Sequence, residues 1–362
     1  MNTRVSKRYA QTLFSAFALS VLSITVSAQE GHAQDKLYVL SSIKPVHSLV
    51  AMVTGDLANS EIIVKGAASP HTYALAPAQA RDIQRADAIF WVGEDLEAFL
   101  EKPLATIGAR ATLIKLMETP GLQKMKFREG GAFEKHDDHD DDDDDDDDDD
   151  HDDDHDDDHG HDDDHDKHDD HDEDHDDGHD HDDDHGNHDD HDGFDPHIWL
   201  SPDNANRILA YIASALGDLD PDNKATYIAN ATAAMQDIDQ LTDAITDNLS
   251  PIKNGGFLLF HDSFQYFEHA FGLAASGAIS IHPEVAPGAR RIAEIRRLLR
   301  KRNVRCVFTE PQFDAKMVDV ILQGTGKKAV EIDPLGAALP QGDTLYFELM
   351  QAMSTSFRKC LG

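Results

Sequence analysis

Between residues 136 and 192 the chain carries 57 residues, of which 36 are Asp and 15 are His. Nearly every side chain there is a carboxylate or an imidazole, so the segment can supply no hydrophobic core and is expected to be a disordered loop. Imidazole suits zinc, copper and nickel, whereas carboxylate suits calcium, magnesium and manganese, so the interleaved histidines point to metal handling. A merely acidic, solubilising run would not need them. His136, His139, His151, His155, His159, His161 and His165 are the first of these candidate secondary ligands. The tract also accounts for the chain's acidity. Its 36 Asp and one Glu against one Lys give −36 of the formal −38, which leaves −2 for everything else. The remainder has no basic stripe of the kind nucleic acid would need, and no nucleic-acid partner is expected.

The N-terminus fits an export signal. Arg4, Lys7 and Arg8 precede an apolar run over 13–26, and Val26-Ser27-Ala28 offers small residues for cleavage before Gln29. The run is shorter than the roughly 20 residues of a spanning helix, so residues 1–28 are read as a removed signal and the location as the periplasm. No cysteine follows the run, which argues against a lipid anchor. The two cysteines, Cys306 and Cys360, are expected to be bridged in an exported protein.

With signal and tract set aside, about 280 residues remain, enough for one large or two ordinary domains. Short apolar, β-branched runs at 37–43, 62–64, 88–92 and 112–114, then at 257–260, 304–308 and 329–332, alternate with amphipathic stretches. That alternation predicts an α/β architecture of two parallel-sheet lobes, 29–220 and 250–362. Pro45, Pro77, Pro202 and Pro221 stand where helices would begin. Residues 222–249 lack Gly and Pro and place Tyr227, Ile228, Ala231, Met235, Ile238, Leu241 and Ile245 at spacings of three and four. This predicts one long helix, 221–249 with its lead-in, linking the lobes as a stiff strut.

Seven histidines lie outside the tract. His261 ends an apolar strand and Asp333 follows another, and open α/β sheets bind ligands beyond the carboxyl ends of their strands. Both are therefore expected at one crevice. His71 lies in the turn after a strand, and His197 lies just before a helix start. His47, on the first turn of the first helix, is a lesser candidate. His32, His269 and His282 have no such context.

Five ordered segments carry a family resemblance: GAASPHTYALAPAQARDIQRADAIFWVGEDLEAFL (66–100), DPHIWLSP (195–202), FHDSFQYFEHAFGL (260–273), CVFTEPQF (306–313) and DPLGAAL (333–339). Together they resemble the zinc-type solute-binding proteins of bacterial ABC transporters, over essentially the whole mature chain. The resemblance implies two α/β domains joined by a rigid helix, with metal held between them. It implies His71, His197 and His261 as ligands, Asp333 as the matching position of a fourth, and a membrane permease with its ATPase as partners of a monomeric protein. A His/Asp-rich loop in the first domain is typical of the group. In one respect the chain departs. Some members carry an acidic residue before the first histidine, where this chain has Pro70, which leaves Asp333, water or a tract carboxylate for the fourth position.

The donor set itself favours zinc. Three imidazoles with at most one carboxylate make a nitrogen-rich, tetrahedral set, whereas manganese and iron relatives usually have a carboxylate in place of His261. Copper would also bind tightly. A zinc hydrolase uses three histidines and an open position too, but this chain lacks a His-Glu-x-x-His helix, and Glu310 and Glu268, the nearby acids, are equally well read as surface residues. No enzyme is expected. A periplasmic zinc buffer is the remaining alternative, with many equivalent sites instead of one tight one.

Overall fold

Strands buried on both faces need continuous apolar runs, and the runs at 37–43, 88–92, 257–260 and 304–308 form the inner strands of two sheets. The structure, a computed structural model, describes residues 36–128, 193–280, 287–301, 304–314 and 316–362. The expected signal (1–28), the His/Asp tract (136–192), His32 and His282 lie outside the described residues. Strands β1 (Leu37–Ser41), β2 (Ala58–Ile62), β3 (Ala88–Trp91) and β4 (Thr112–Lys115) make the first sheet, ordered β2-β1-β3-β4. Strands β5 (Gly256–His261), β6 (Ala278–Ser280), β7 (Val304–Thr309) and β8 (Lys328–Glu331) make the second, ordered β6-β5-β7-β8. Every pairing is parallel, and both sheets share one permutation. Each therefore changes winding direction between its first and third strands, where a crevice opens at the strand ends.

The described helices are α1 (Lys44–Thr54), α2 (Pro77–Arg85), α3 (Glu94–Ile107), α4 (Pro202–Leu219), α5 (Lys224–Leu249), α6 (Gln265–Phe271), α7 (Ala289–Lys301), α8 (Lys316–Leu322) and α9 (Leu345–Leu361). Proline stands in the first turn of α1, α2 and α4, as the sequence predicts. Pro221 instead opens a short 3-10 turn, Pro221–Asn223, and α5 begins after it. Strand β2 runs earlier than the apolar run at 62–64, because its ANSEI segment pairs with β1 by backbone bonds that polar side chains do not prevent. The three-residue β6 gives too short a run to read from sequence.

Helix α5 has 26 residues, about 39 Å at 1.5 Å per residue. Its buried face is Tyr227, Ala231, Ala234, Ile238, Leu241, Ile245 and Leu249. Ile228 is not part of that face and stands 50 % exposed, since it falls one residue off the three-four stripe. The helix packs on α1 and α4 of the first lobe and on α6 and α9 of the second. One apolar cluster consequently runs through both lobes, from Val46 and Ile208 through Ile238 to Phe257 and Tyr346. The other face of the second sheet, with Leu258, Phe260 and Val307, packs separately under α7 and α8 through Ile295 and Ile321. The alternation of Phe257 and Leu259 against Leu258 and Phe260 is the two-residue period of a strand buried on both sides.

Polar contacts reinforce this seam. Lys44, at the start of α1, donates to the carbonyls of Gly336, Ala337 and Leu339 at 2.8, 2.9 and 2.7 Å. Trp199 Nε1 donates to the Pro334 carbonyl at 2.9 Å, and Tyr346 Oη donates to the Trp199 carbonyl at 2.9 Å. Cys306 on β7 is bridged to Cys360 on α9, with Cα atoms 5.7 Å apart. Among the described residues no helix is long and apolar enough to cross a membrane.

Candidate metal centre

Three of the sequence-predicted residues meet. His261 is the last residue of β5, at the switch point of the second sheet. His71 sits in the 3-10 turn Pro70–Thr72, whose start is fixed by Ser69 Oγ accepting from the His71 amide at 3.3 Å. His197 precedes the 3-10 turn Ile198–Leu200 that leads into α4. Each offers a ring nitrogen, and the three atoms lie within 4.8 Å of one another. Ring centroids are 5.5, 5.1 and 5.0 Å apart for the His71–His197, His71–His261 and His197–His261 pairs. A tetrahedral zinc with bonds of 2.0–2.1 Å needs donors about 3.4 Å apart, so the rings fit the ion after drawing in by about an ångström.

The rings are backed by carboxylates. Asp195 Oδ1 accepts from the His197 backbone amide at 2.9 Å and lies 2.7 Å from His197 Nδ1, which leaves Nε2 as the donor atom of that ring. Burial would push the Asp195 carboxyl up, but the adjoining His197 and the hydrogen bonds around it hold it below its ordinary value. Its other oxygen accepts from Gln265 Nε2 at 3.2 Å, and Tyr266 Oη donates to its carbonyl at 2.9 Å, so the second lobe grips the His197 loop. Glu310, the residue after β7, places Oε2 3.6 Å from His261 Nδ1. Its side chain is buried, and burial pushes its carboxyl up to about 8, with the charge of Asp333 adding to the effect while His197 and the His261 backbone amide oppose it. Glu310 and Glu268 are thus both buried, 4 % and 3 % exposed, and the surface reading of them from sequence is corrected.

Asp333 stands apart from the three histidines. Its Oδ1 accepts from Leu335 N at 3.0 Å and Gln312 Nε2 at 2.8 Å, and its Oδ2 accepts from Ala337 N at 2.5 Å. These bonds shape the loop around Gly336, whose φ of 66° suits glycine. His47 does not approach the cleft. It is buried, and its ring lies against the Ser60 backbone of β2, where burial lowers its pKa. His269 is near the surface, 3.1 Å from Gln123 Nε2. The tract candidates His136, His139, His151, His155, His159, His161 and His165 lie outside the described residues.

Besides the three histidines, the cleft is lined by Ser69, Pro70, Trp199, Glu310, Gln312 and Phe313, with Pro334 and Leu335 of the loop after β8. The chain leaves for the tract beside it. Lys126 bridges Phe194, and Asp195 N donates to the Met125 carbonyl at 2.8 Å. Arg128, the last described residue before the tract, pairs with Asp262, the neighbour of His261, and with Glu268 at 2.9 Å. The sequence did not reveal this partly buried triad, because Arg128 is more than 130 residues from either carboxylate.

Two parallel-sheet lobes on a shared helix, with three histidines gathered beside the end of β5, are the frame of a metal-binding protein. Across residues 39–360 the chain matches the family model described as zinc-uptake complex component A, periplasmic, and it belongs to that family. It is 44 % identical over 323 residues, 89 % of this chain and 91 % of the relative, to the high-affinity zinc uptake system protein ZnuA of Brucella abortus (strain 2308). It is 38 % identical over 325 residues to the protein of the same name from Paracoccus denitrificans, covering 90 % of this chain and 91 % of that one. Among solved structures, a ZnuA superposes with a TM-score of 0.65 at 22 % identity, covering 89 % of this chain and all of that one. A 138–173 deletion mutant of a ZnuA with zinc bound superposes with a TM-score of 0.66 at 22 % identity, covering 91 % and 99 %.

Proposed function

We propose that this protein captures Zn2+ in the periplasm and delivers it to a membrane permease driven by an ATPase. The observation that carries the reading is the meeting of three imidazoles from three separate chain segments within 4.8 Å. His71, His197 and His261 are the proposed ligands. Asp333 is the proposed fourth. It would release Gln312 and keep its two backbone bonds, since a carboxylate has about four lone-pair positions. The histidines of the tract are additional, weaker sites. The chain is read as a removed signal (1–28), a first lobe (29–220), a linker helix (221–249) and a second lobe (250–362), acting as a monomer. The relatives named above are transport components, and no catalytic role is assigned here. A zinc buffer, the second reading, draws on the tract composition and requires many equivalent sites.

Calorimetry on a 136–192 deletion tests the reading. One tight zinc site should remain, because side chains held by ordered elements lose less entropy on binding than those of an unstructured chain. In that background His71→Ala, His197→Ala and His261→Ala should each weaken zinc strongly and Asp333→Ala less, while His47→Ala and His269→Ala should do little. The absence of a tight site in the deletion, or equal small losses across the set, would reject it.

A further inference from the structure

The site contains a second carboxylate that none of its ligand assignments uses. Strands β5 and β7 pair with Leu258 opposite Val307, and three residues on this register sets His261 beside Glu310. Both stand at the switch point of the second sheet, where the strand ends open on the cleft. Glu310 Oε2 is 3.6 Å from His261 Nδ1, and both side chains are buried, 2 % and 5 % exposed. Glu310 Oε1 is buried without a hydrogen-bond partner, and among the described residues no Lys or Arg pairs with this carboxylate. Such a group is costly in a protein interior unless a cation balances it. Pro311 and the turn that follows fix its position, with Phe313 N donating to the Glu310 carbonyl at 3.2 Å and the Phe313 ring standing 5.8 Å from that of His261.

We infer that Glu310 is the positioning residue of the zinc site: it holds the His261 ring through Nδ1, so that Nε2 faces the ion, and supplies the buried negative charge that the dication balances. This rests on the reading of His71, His197 and His261 as ligands. Glu310 would then do for His261 what Asp195 does for His197, and two of the three imidazoles would have a carboxylate behind them. Three neutral imidazoles leave a zinc ion with its full double charge. Asp195 and Glu310 together would offset it from behind the ligands.

Zinc affinity by chelator competition and melting of the metal-free protein, measured on the full chain, test the inference. Glu310→Gln keeps the shape and removes the charge. It should weaken the tight site by about 10- to 100-fold, the range for partners of a metal-binding histidine. It should not lower the melting temperature of the metal-free protein, as loss of a merely structural contact would. Glu310→Asp, which keeps the charge but draws it back, should lose less. In a His261→Ala background Glu310→Gln should cost clearly less, since only its charge is then lost and no ring is left to position; an undiminished loss there would make Glu310 a ligand itself and overturn the positioning role. Wild-type affinity in Glu310→Gln, with zinc lost in His197→Ala, would overturn the inference alone. Wild-type affinity in His197→Ala would instead sink the ligand assignment beneath it.

Discussion

Buried carboxylates in this chain differ in what surrounds them. Asp195 has an imidazole and two other donors at hand. Glu97 has no basic partner among the described residues: its Oε2 accepts from the amides of Val92 and Gly93 at 2.9 and 3.0 Å where α3 begins, and its Oε1 is buried without a partner. Burial pushes the Glu97 carboxyl up to about 7 from its ordinary 4.5, against the nearby Ser42 hydroxyl and the hydrogen bonds from Gly93 and Val92. The folded chain therefore holds a proton between those two values that the unfolded chain releases. Stability should rise as pH falls through 7 towards 4.5 and be lost as pH rises through that window. Glu97→Gln should accordingly melt higher than the wild type at pH 8, by about 2 to 4 °C for each kcal/mol of charge burial relieved, with the gap closing near pH 5. Melting curves of the two proteins across that range check it, and a lower melting point for Glu97→Gln at pH 8 would refute it. At this scale, the sequence revealed side chains whose place follows from a strand end. His261 could be placed that way, and the same rule applied to Thr309-Glu310 would have found Glu310 too. Glu97 could not be read, because burial of a helix-start acid depends on what the neighbouring strands bring over it.

The elements were most legible where their pattern was long. The stripe on α5 could be read from its three-four spacing, apart from Ile228, whereas β6 has too few residues to show any period. What sequence periodicity does not express is that α9 returns to pack on α1 and α5 as well as beneath its own sheet. The bridge between Cys306 and Cys360 ties that helix to β7, a central strand, across a sequence separation of 54 residues. Closing a loop of that length stabilises the fold by about 4 kcal/mol in the chain-entropy model. Reduction should therefore lower the melting temperature by several degrees while leaving zinc affinity nearly unchanged, since neither sulfur belongs to the histidine cluster. Thiol titration of protein purified from the periplasm, with calorimetry before and after reduction, checks both halves. Two free thiols in the native protein would refute the bridge, and a large loss of zinc affinity on reduction would mean that α9 holds the cleft in shape.

Across the whole molecule, charge and structure are segregated. Residues 136–192 carry −36 of the net charge of −38, and the rest of the chain is close to neutral. The apolar cluster through both lobes, with Lys44 and Trp199 joined to the loop after β8, presents the three histidines on a braced frame. Two zinc-binding regimes follow. In the tract, surrounding carboxylates favour protonated imidazole, so its histidines should titrate above the usual value of about 6.5. Zinc requires neutral imidazole, and protons therefore compete with it there near neutrality. Tract occupancy should climb between about pH 6 and pH 8, whereas the histidine cluster, with its donors already gathered, should hold zinc to lower pH. The tract would then load when zinc is plentiful and yield it to the tighter site. Parallel pH titrations of a 136–192 peptide by NMR and of the tract-deleted protein by zinc competition measure the two regimes. A peptide that retains zinc at lower pH than the deleted protein would reverse the roles assigned to them.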